Sequence, residues 1–142
     1  MIIPKQLLTD LYWSFHLKYA DQDSFNEALT IYNTRLLKRK PALKKIVFPE
    51  KKIVIQFNAY EDANSNNKDY DEEKQILIET ENNKGFTLGE LMFKINNQVV
   101  ENKELNIDIS EQDACFFEGL EYLTDDDPDF PQTKVYFMIL GS

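Results

Sequence analysis

The run Phe86, Thr87, Leu88, Gly89, Glu90, Leu91, Met92, Phe93, Lys94, Ile95, Asn96, Asn97, Gln98, Val99, Val100 decides the fold. Thr87 followed three residues later by Glu90 is a capping box, in which the hydroxyl takes an unpaired amide at a helix start and the carboxylate reaches back to the cap. Phe86 and Leu91 bracket the same start as a hydrophobic staple. Leu88, Leu91, Met92, Ile95 and Val99 then recur at helical spacing and lay one apolar stripe along one side. The spacing predicts a helix reaching about Val100 whose apolar face lies in a core. Met92 and Phe93 are read as packing, with no ligand pocket implied.

Upstream, Ser24 and Glu27 form another capping box, and Phe25, Ala28, Leu29, Tyr32 and Leu36 follow at helical spacing. Pro41 sets the latest end of that helix. Arg35, Lys38, Arg39, Lys40, Lys44 and Lys45 cluster at its C-terminal side, where cations favour the partial negative charge of unpaired carbonyls. Residues 11–19 fit two templates. Leu11, Trp13, Phe15, Leu17 and Tyr19 alternate as in a half-buried strand, while Leu8, Leu11, Tyr12, Phe15 and Tyr19 match a helix. The strand is preferred, because a helix would leave Trp13 and Leu17 beside Asp10 and Lys18.

Alternation in 53–58 and 75–81 predicts two paired strands. The polar stretch 61–74 between them is long for a hairpin loop. Further alternation appears at Leu105, Ile107 and Ile109. Residues 116–123 fit two readings: Ser110 with Asp113 could cap a helix, but Gly119 would sit in its interior at a cost of about 1 kcal/mol against Ala. The preferred reading is a strand returning through the nearly all-apolar 135–140, with a loop carrying Asp125, Asp126, Asp127, Asp129 and Phe130 between them. Pro128 and Pro131 exclude regular pairing there. At 142 residues and 42% hydrophobic composition, these elements make one domain over residues 1–142. The expectation is an α+β fold, a largely antiparallel sheet packed against two main helices.

The net charge of -9 argues against nucleic acid and anionic membrane surfaces as partners. It conceals a gradient: residues 1–52 hold ten Lys/Arg against five Asp/Glu, net +5, and residues 53–142 hold six against twenty, net -14. No stretch approaches a membrane span and the N-terminus lacks a signal-peptide pattern, so a cytoplasmic protein is expected. The single cysteine, Cys115, agrees with a reducing compartment and reads as a small buried hydrophobe.

Chemistry is thinly supplied. His16 is the one histidine, so any histidine-based nucleophilic mechanism depends on it, yet the strand reading puts it on a polar face with Ser14 and Lys18. One Cys and one His leave no zinc site, and the four glycines form no phosphate-binding pattern. Asp125, Asp127 and Asp129 stand at positions 1, 3 and 5 of a calcium loop, but Phe130 replaces the required Gly and Tyr136 the bidentate Glu. No metal, cofactor or catalytic residue is therefore assigned. Glu118 and Glu121 are the carboxylates expected to be partly buried, and with His16 they define an alternative cleft for a small enzyme or ligand-binding domain. A further alternative is a homo-oligomer in which the basic helix end of one subunit meets an acidic loop of another.

The run from Phe86 to Val100, followed by Phe116, Phe117, Glu118, Gly119 and Leu120 and by Tyr136 leading to Leu140, Gly141 and Ser142, resembles a pattern in small bacterial immunity proteins of polymorphic-toxin systems. It covers about the last third of the chain. The resemblance implies a cytosolic protein that binds and neutralises a specific toxin domain, and it carries no catalytic residues. An acidic chain fits such a role by complementary charge, with aromatic anchors supplying affinity inside the charged rim. The expected partner-binding residues are Asp69, Tyr70, Asp71, Glu72 and Glu73 in one acidic run and Asp125, Asp126, Asp127, Asp129 and Phe130 in the other.

Overall fold

A computed structural model describes residues 3–60, 71–101 and 116–141. Its elements are β1 (Gln6–Leu7), β2 (Trp13–Ser14), α1 (Gln22–Leu37), β3 (Ile46–Phe48), β4 (Lys52–Tyr60), β5 (Asp71–Glu79), β6 (Phe86–Thr87), α2 (Leu88–Glu101), β7 (Phe116–Thr124) and β8 (Lys134–Gly141). The fold is a single-layer mixed sheet with two helices, an α+β domain. The main sheet runs β1-β7-β8-β4-β5, with β2 also on β7, and β3 pairs with β6 in a small second sheet. Only β4 and β8 pair in parallel among the described strands.

Helix α2 starts where the capping box predicts, with the Glu90 amide donating to Thr87 Oγ1 at 3.1 Å. The carboxylate does not close the box. It accepts from Thr80 Oγ1 at 2.8 Å and lies 2.9 Å from Lys94 Nζ, so it ties the helix to the end of β5. Leu91, Met92 and Ile95 are fully buried, as their stripe requires. Helix α1 begins earlier than expected. Its cap is Asp21, whose extended backbone lets the carboxylate accept from the Ser24 amide at 2.8 Å. That bond holds the Asp21 carboxyl below its ordinary range. The helix ends at Leu37, before Pro41, through Lys38 in the left-handed region at φ 55°.

Alternation along the strands sorts side chains between two faces. Ile53, Ile55 and Phe57 of β4 join Ile78, Phe117, Leu120, Tyr136 and Met138 in one buried cluster with Phe25, Leu29 and the α2 stripe. Val54, Gln56, Leu77 and Gln75 therefore face the other way. The strand reading of 116–123 and 135–140 holds, and β7 pairs antiparallel with β8.

Residues 11–19 are neither of the two regular alternatives. The chain is extended, but it pairs as a strand only at Trp13 with Phe117 and Ser14 with Phe116. Leu17, placed on the buried face by alternation, is 65% exposed, and Ser14 is buried. Asparagine side chains stand in for a strand partner. Asn33 on α1 accepts from the Tyr12 amide and donates to the Tyr12 carbonyl, each at 2.8 Å. Asn97 on α2 does the same for Tyr19 at 2.9 and 2.7 Å. Asn96 accepts from Trp13 Nε1 at 2.9 Å and donates to the Leu17 carbonyl at 2.9 Å.

Pairing between β4 and β5 also runs further than the polar composition predicts. Tyr60 pairs with Asp71, Ala59 with Glu72 and Asn58 with Glu73, so Asp71, Glu72 and Glu73 lie in a strand and not in a loop. Among the described strands β5 stands at the edge of the main sheet, a position where charged residues discourage further strand addition.

Candidate recognition surfaces

The loop 125–133 joining β7 to β8 is fixed largely by its own short-range bonds. The Asp126 amide donates to Thr124 Oγ1 at 3.1 Å, and the Asp129 amide donates to Asp127 Oδ1 at 2.9 Å. Backbone bonds from Phe130 to the Asp127 carbonyl and from Thr133 to the Phe130 carbonyl complete two successive turns. This is the behaviour of Asp in Asx turns, where the side chain substitutes for backbone. One bond is long-range: Gln75 Nε2 on β5 donates to Asp127 Oδ2 at 2.7 Å while also reaching Gln56 Oε1 at 2.9 Å. The loop is thus drawn across the sheet face opposite the helices, where Val54 and Val135 are both fully buried.

Within this loop Asp127 and Phe130 are half-buried, whereas Asp125, Asp126 and Asp129 are exposed. Asp127 is a fastener, Asp125 is exposed but also reaches Tyr122 at the loop base, and Asp126 and Asp129 are exposed to solvent or a partner. At the loop base, burial and the Asp125 carboxylate raise the Tyr122 phenol above its ordinary range, with Lys134 opposing them. Lys134 lies 3.5 Å from Glu50.

The other acidic run separates into parts. Asp69 and Tyr70 lie outside the described residues, as do Cys115 and the alternating Leu105, Ile107 and Ile109. Asp71 and Glu72 are on β5, and Glu73 is an exposed residue of that strand.

His16, Glu118 and Glu121 do not form a cleft. Glu118 and Glu121 are exposed, because β7 turns Phe117 and Leu120 inward and its irregularity at Gly119 keeps both glutamates toward solvent. Glu121 pairs with Gln6, far along β7 from the Ser14–Phe116 pair beside which His16 sits. His16 Nε2 instead meets Ser14 Oγ at 2.5 Å.

His16 does line a groove of about 530 Å³ between the irregular N-terminal segment and α1. Trp13, Leu17 and Tyr19 form one wall, and Ala28, Ile31, Tyr32, Arg35 and Leu36 form the other. Trp13 packs edge-on against Tyr32 at 5.5 Å and tilted against Tyr19 at 6.1 Å, making an aromatic floor. Leu17, Ile31 and Leu36 remain 65%, 45% and 57% exposed along its rims. Of the helical stripe Phe25, Ala28, Leu29, Tyr32 and Leu36, only Phe25 and Leu29 are fully buried. Ala28, Tyr32 and Leu36, joined by Ile31, which the spacing misses, line the groove instead, and only the extended segment across from them makes it one. A polar Asn33 within the buried stripe of α1 is the local sign that something non-helical is bonded there.

Among the described residues, no group of three His, Cys, Asp or Glu is arranged to hold a metal ion, and no helix is long and apolar enough to cross a membrane. No family model, curated protein or solved structure matches the chain.

Proposed function

We propose that this chain is a recognition protein that binds a basic surface of a protein partner through the loop 125–133, and that the partner is the toxin domain which the resemblance to immunity proteins implies. The observation that carries this reading is the division of labour among the loop aspartates. Asp127 is bonded to Gln75 and to the loop backbone, while Asp125, Asp126 and Asp129 are exposed from a backbone already held in turns. A display of this kind loses little conformational freedom on binding, which is the main cost a charged loop otherwise incurs. Like charges held close together also create a local field that accelerates encounter with an opposite surface. Phe130, half-buried beside Asp129, is the nearest apolar anchor.

The test pairs the purified chain with the product of the reading frame directly upstream. Association is followed by stopped flow at low and high salt for the native chain and for the triple variant Asp125→Lys, Asp126→Lys, Asp129→Lys. The expected result is association slowed about tenfold or more at low salt, with a flatter salt dependence. An unchanged association rate removes the loop from the interface. An upstream product that neither binds the chain nor is inhibited by it overturns the immunity reading itself.

A further inference from the structure

The groove between α1 and residues 13–19 is a second surface, and it does not depend on the acidic-loop reading. We propose that it binds an apolar monocarboxylate, with the carbon chain lying along the aromatic floor and the carboxylate on Arg35. Its volume of about 530 Å³ lies in the range of small-molecule sites, roughly 300–1,000 Å³. Ten residues line it, well short of the roughly 20–30 per side that a stable protein interface uses. The α1 wall runs from Ala28 to Leu36, a length of roughly 12 Å at the helical rise. An extended chain of about ten carbons has that length.

The head-group preference follows from charge. Arg35 stands in the last turn of α1 and has no ion pair among the described residues, whereas Arg39 lies 4.0 Å from Asp10. Lys38 caps the same helix end, while Arg39 and Lys40 line a separate pocket beside Asp10, so the groove's own cation is Arg35. In a protein of net charge -9, this is the place where an anion meets local attraction, and a guanidinium offers a carboxylate two parallel hydrogen bonds. His16 is the other basic residue of the lining, and no carboxylate is among the lining residues.

Trp13, the chain's single tryptophan, lines the groove, so its fluorescence reports occupancy directly. The full chain is titrated with decanoate below its micelle concentration, with decanol as the uncharged probe and decylamine as the cationic one. Saturable change with decanoate, weaker binding of the other two, and a loss of roughly three- to tenfold in decanoate affinity for Arg35→Gln with decanol unaffected support the proposal. Ala28→Phe, which fills the groove, is expected to weaken decanoate and decanol alike. Circular dichroism verifies that both variants are folded; Arg35→Met stands in for Arg35→Gln and Ile31→Phe for Ala28→Phe where either is not. The proposal is overturned if decanoate gives no saturable change, if Arg35→Gln and the control probes bind as the native chain binds decanoate, or if sedimentation reveals a dimer that Ala28→Phe dissociates and decanoate does not.

Discussion

Asn33, Asn96 and Asn97 do for residues 12–19 what a neighbouring strand does elsewhere in the sheet. Each carries both an acceptor and a donor on one side chain, so a single asparagine can close the N–H and the C=O of one residue, as Asn33 does for Tyr12. Asn33 and Asn96 are both buried, so truncation leaves their partners without bonds in a place water does not easily reach. Asn33→Ala is expected to cost about 2–3 kcal/mol in urea unfolding. Asn97→Ala should cost less, since Asn97 is only half-buried. A loss below about 0.5 kcal/mol for Asn33→Ala, the size of an ordinary surface change, would mean the clamp is incidental. This clamp also explains why residues 11–19 are ambiguous as sequence. Periodicity reports burial on a regular element, and a segment bonded at Tyr12, Trp13, Leu17 and Tyr19 to side chains of two helices has no period to report.

At the level of elements, regular segments with strong local chemistry are readable and their junctions are not. The capping box at Thr87, the α2 stripe and the alternation in β4, β5 and β8 all correspond to elements, because each combines propensity with burial of one face. The junctions depend on close approaches that no local pattern encodes. Gly85, before β6, has φ 106°, and a Cβ there would lie 2.1 Å from the Phe48 carbonyl oxygen and 2.7 Å from Pro49 Cα. Gly119, at the irregularity in β7, has φ 129°, but its added Cβ would meet Leu7 and Thr9 only at 3.4 Å. Both substitutions strain the backbone, yet only Gly85→Ala must also displace backbone atoms. Gly85→Ala is therefore expected to cost about 3 kcal/mol or more, and Gly119→Ala about 1–2 kcal/mol. Chemical unfolding of the two variants side by side checks the order, and equal losses would contradict the difference in crowding. The placement of Glu118 and Glu121 belongs to the same scale. Their sequence neighbours are apolar, which suggests burial, but a strand that alternates around a glycine irregularity sends both to solvent.

Across the whole molecule, the acidic loop 125–133 and the groove lie on the two sides of one sheet. Asp127 bonds to Gln75, whose partner Gln56 lies on the β4 face away from Ile55 and Phe57, so the acidic loop covers the side opposite the helices. The groove and its basic end belong to α1 and the segment beside it, on the helical side. No carboxylate of the loop lines the groove, and Arg35 is not bonded to the loop. Effects at sites without shared partners add, and ligands that bind such sites do not alter each other's affinity unless both favour one alternative conformation. The triple Asp→Lys change in the loop should thus slow partner association while leaving decanoate affinity within about twofold, a margin of a few tenths of a kcal/mol. Arg35→Gln should do the reverse. Carrying out both titrations on both variants gives four numbers, and a fivefold change in either crossed measurement would mean that the sheet between the two surfaces transmits a rearrangement, making the anion an effector of partner binding.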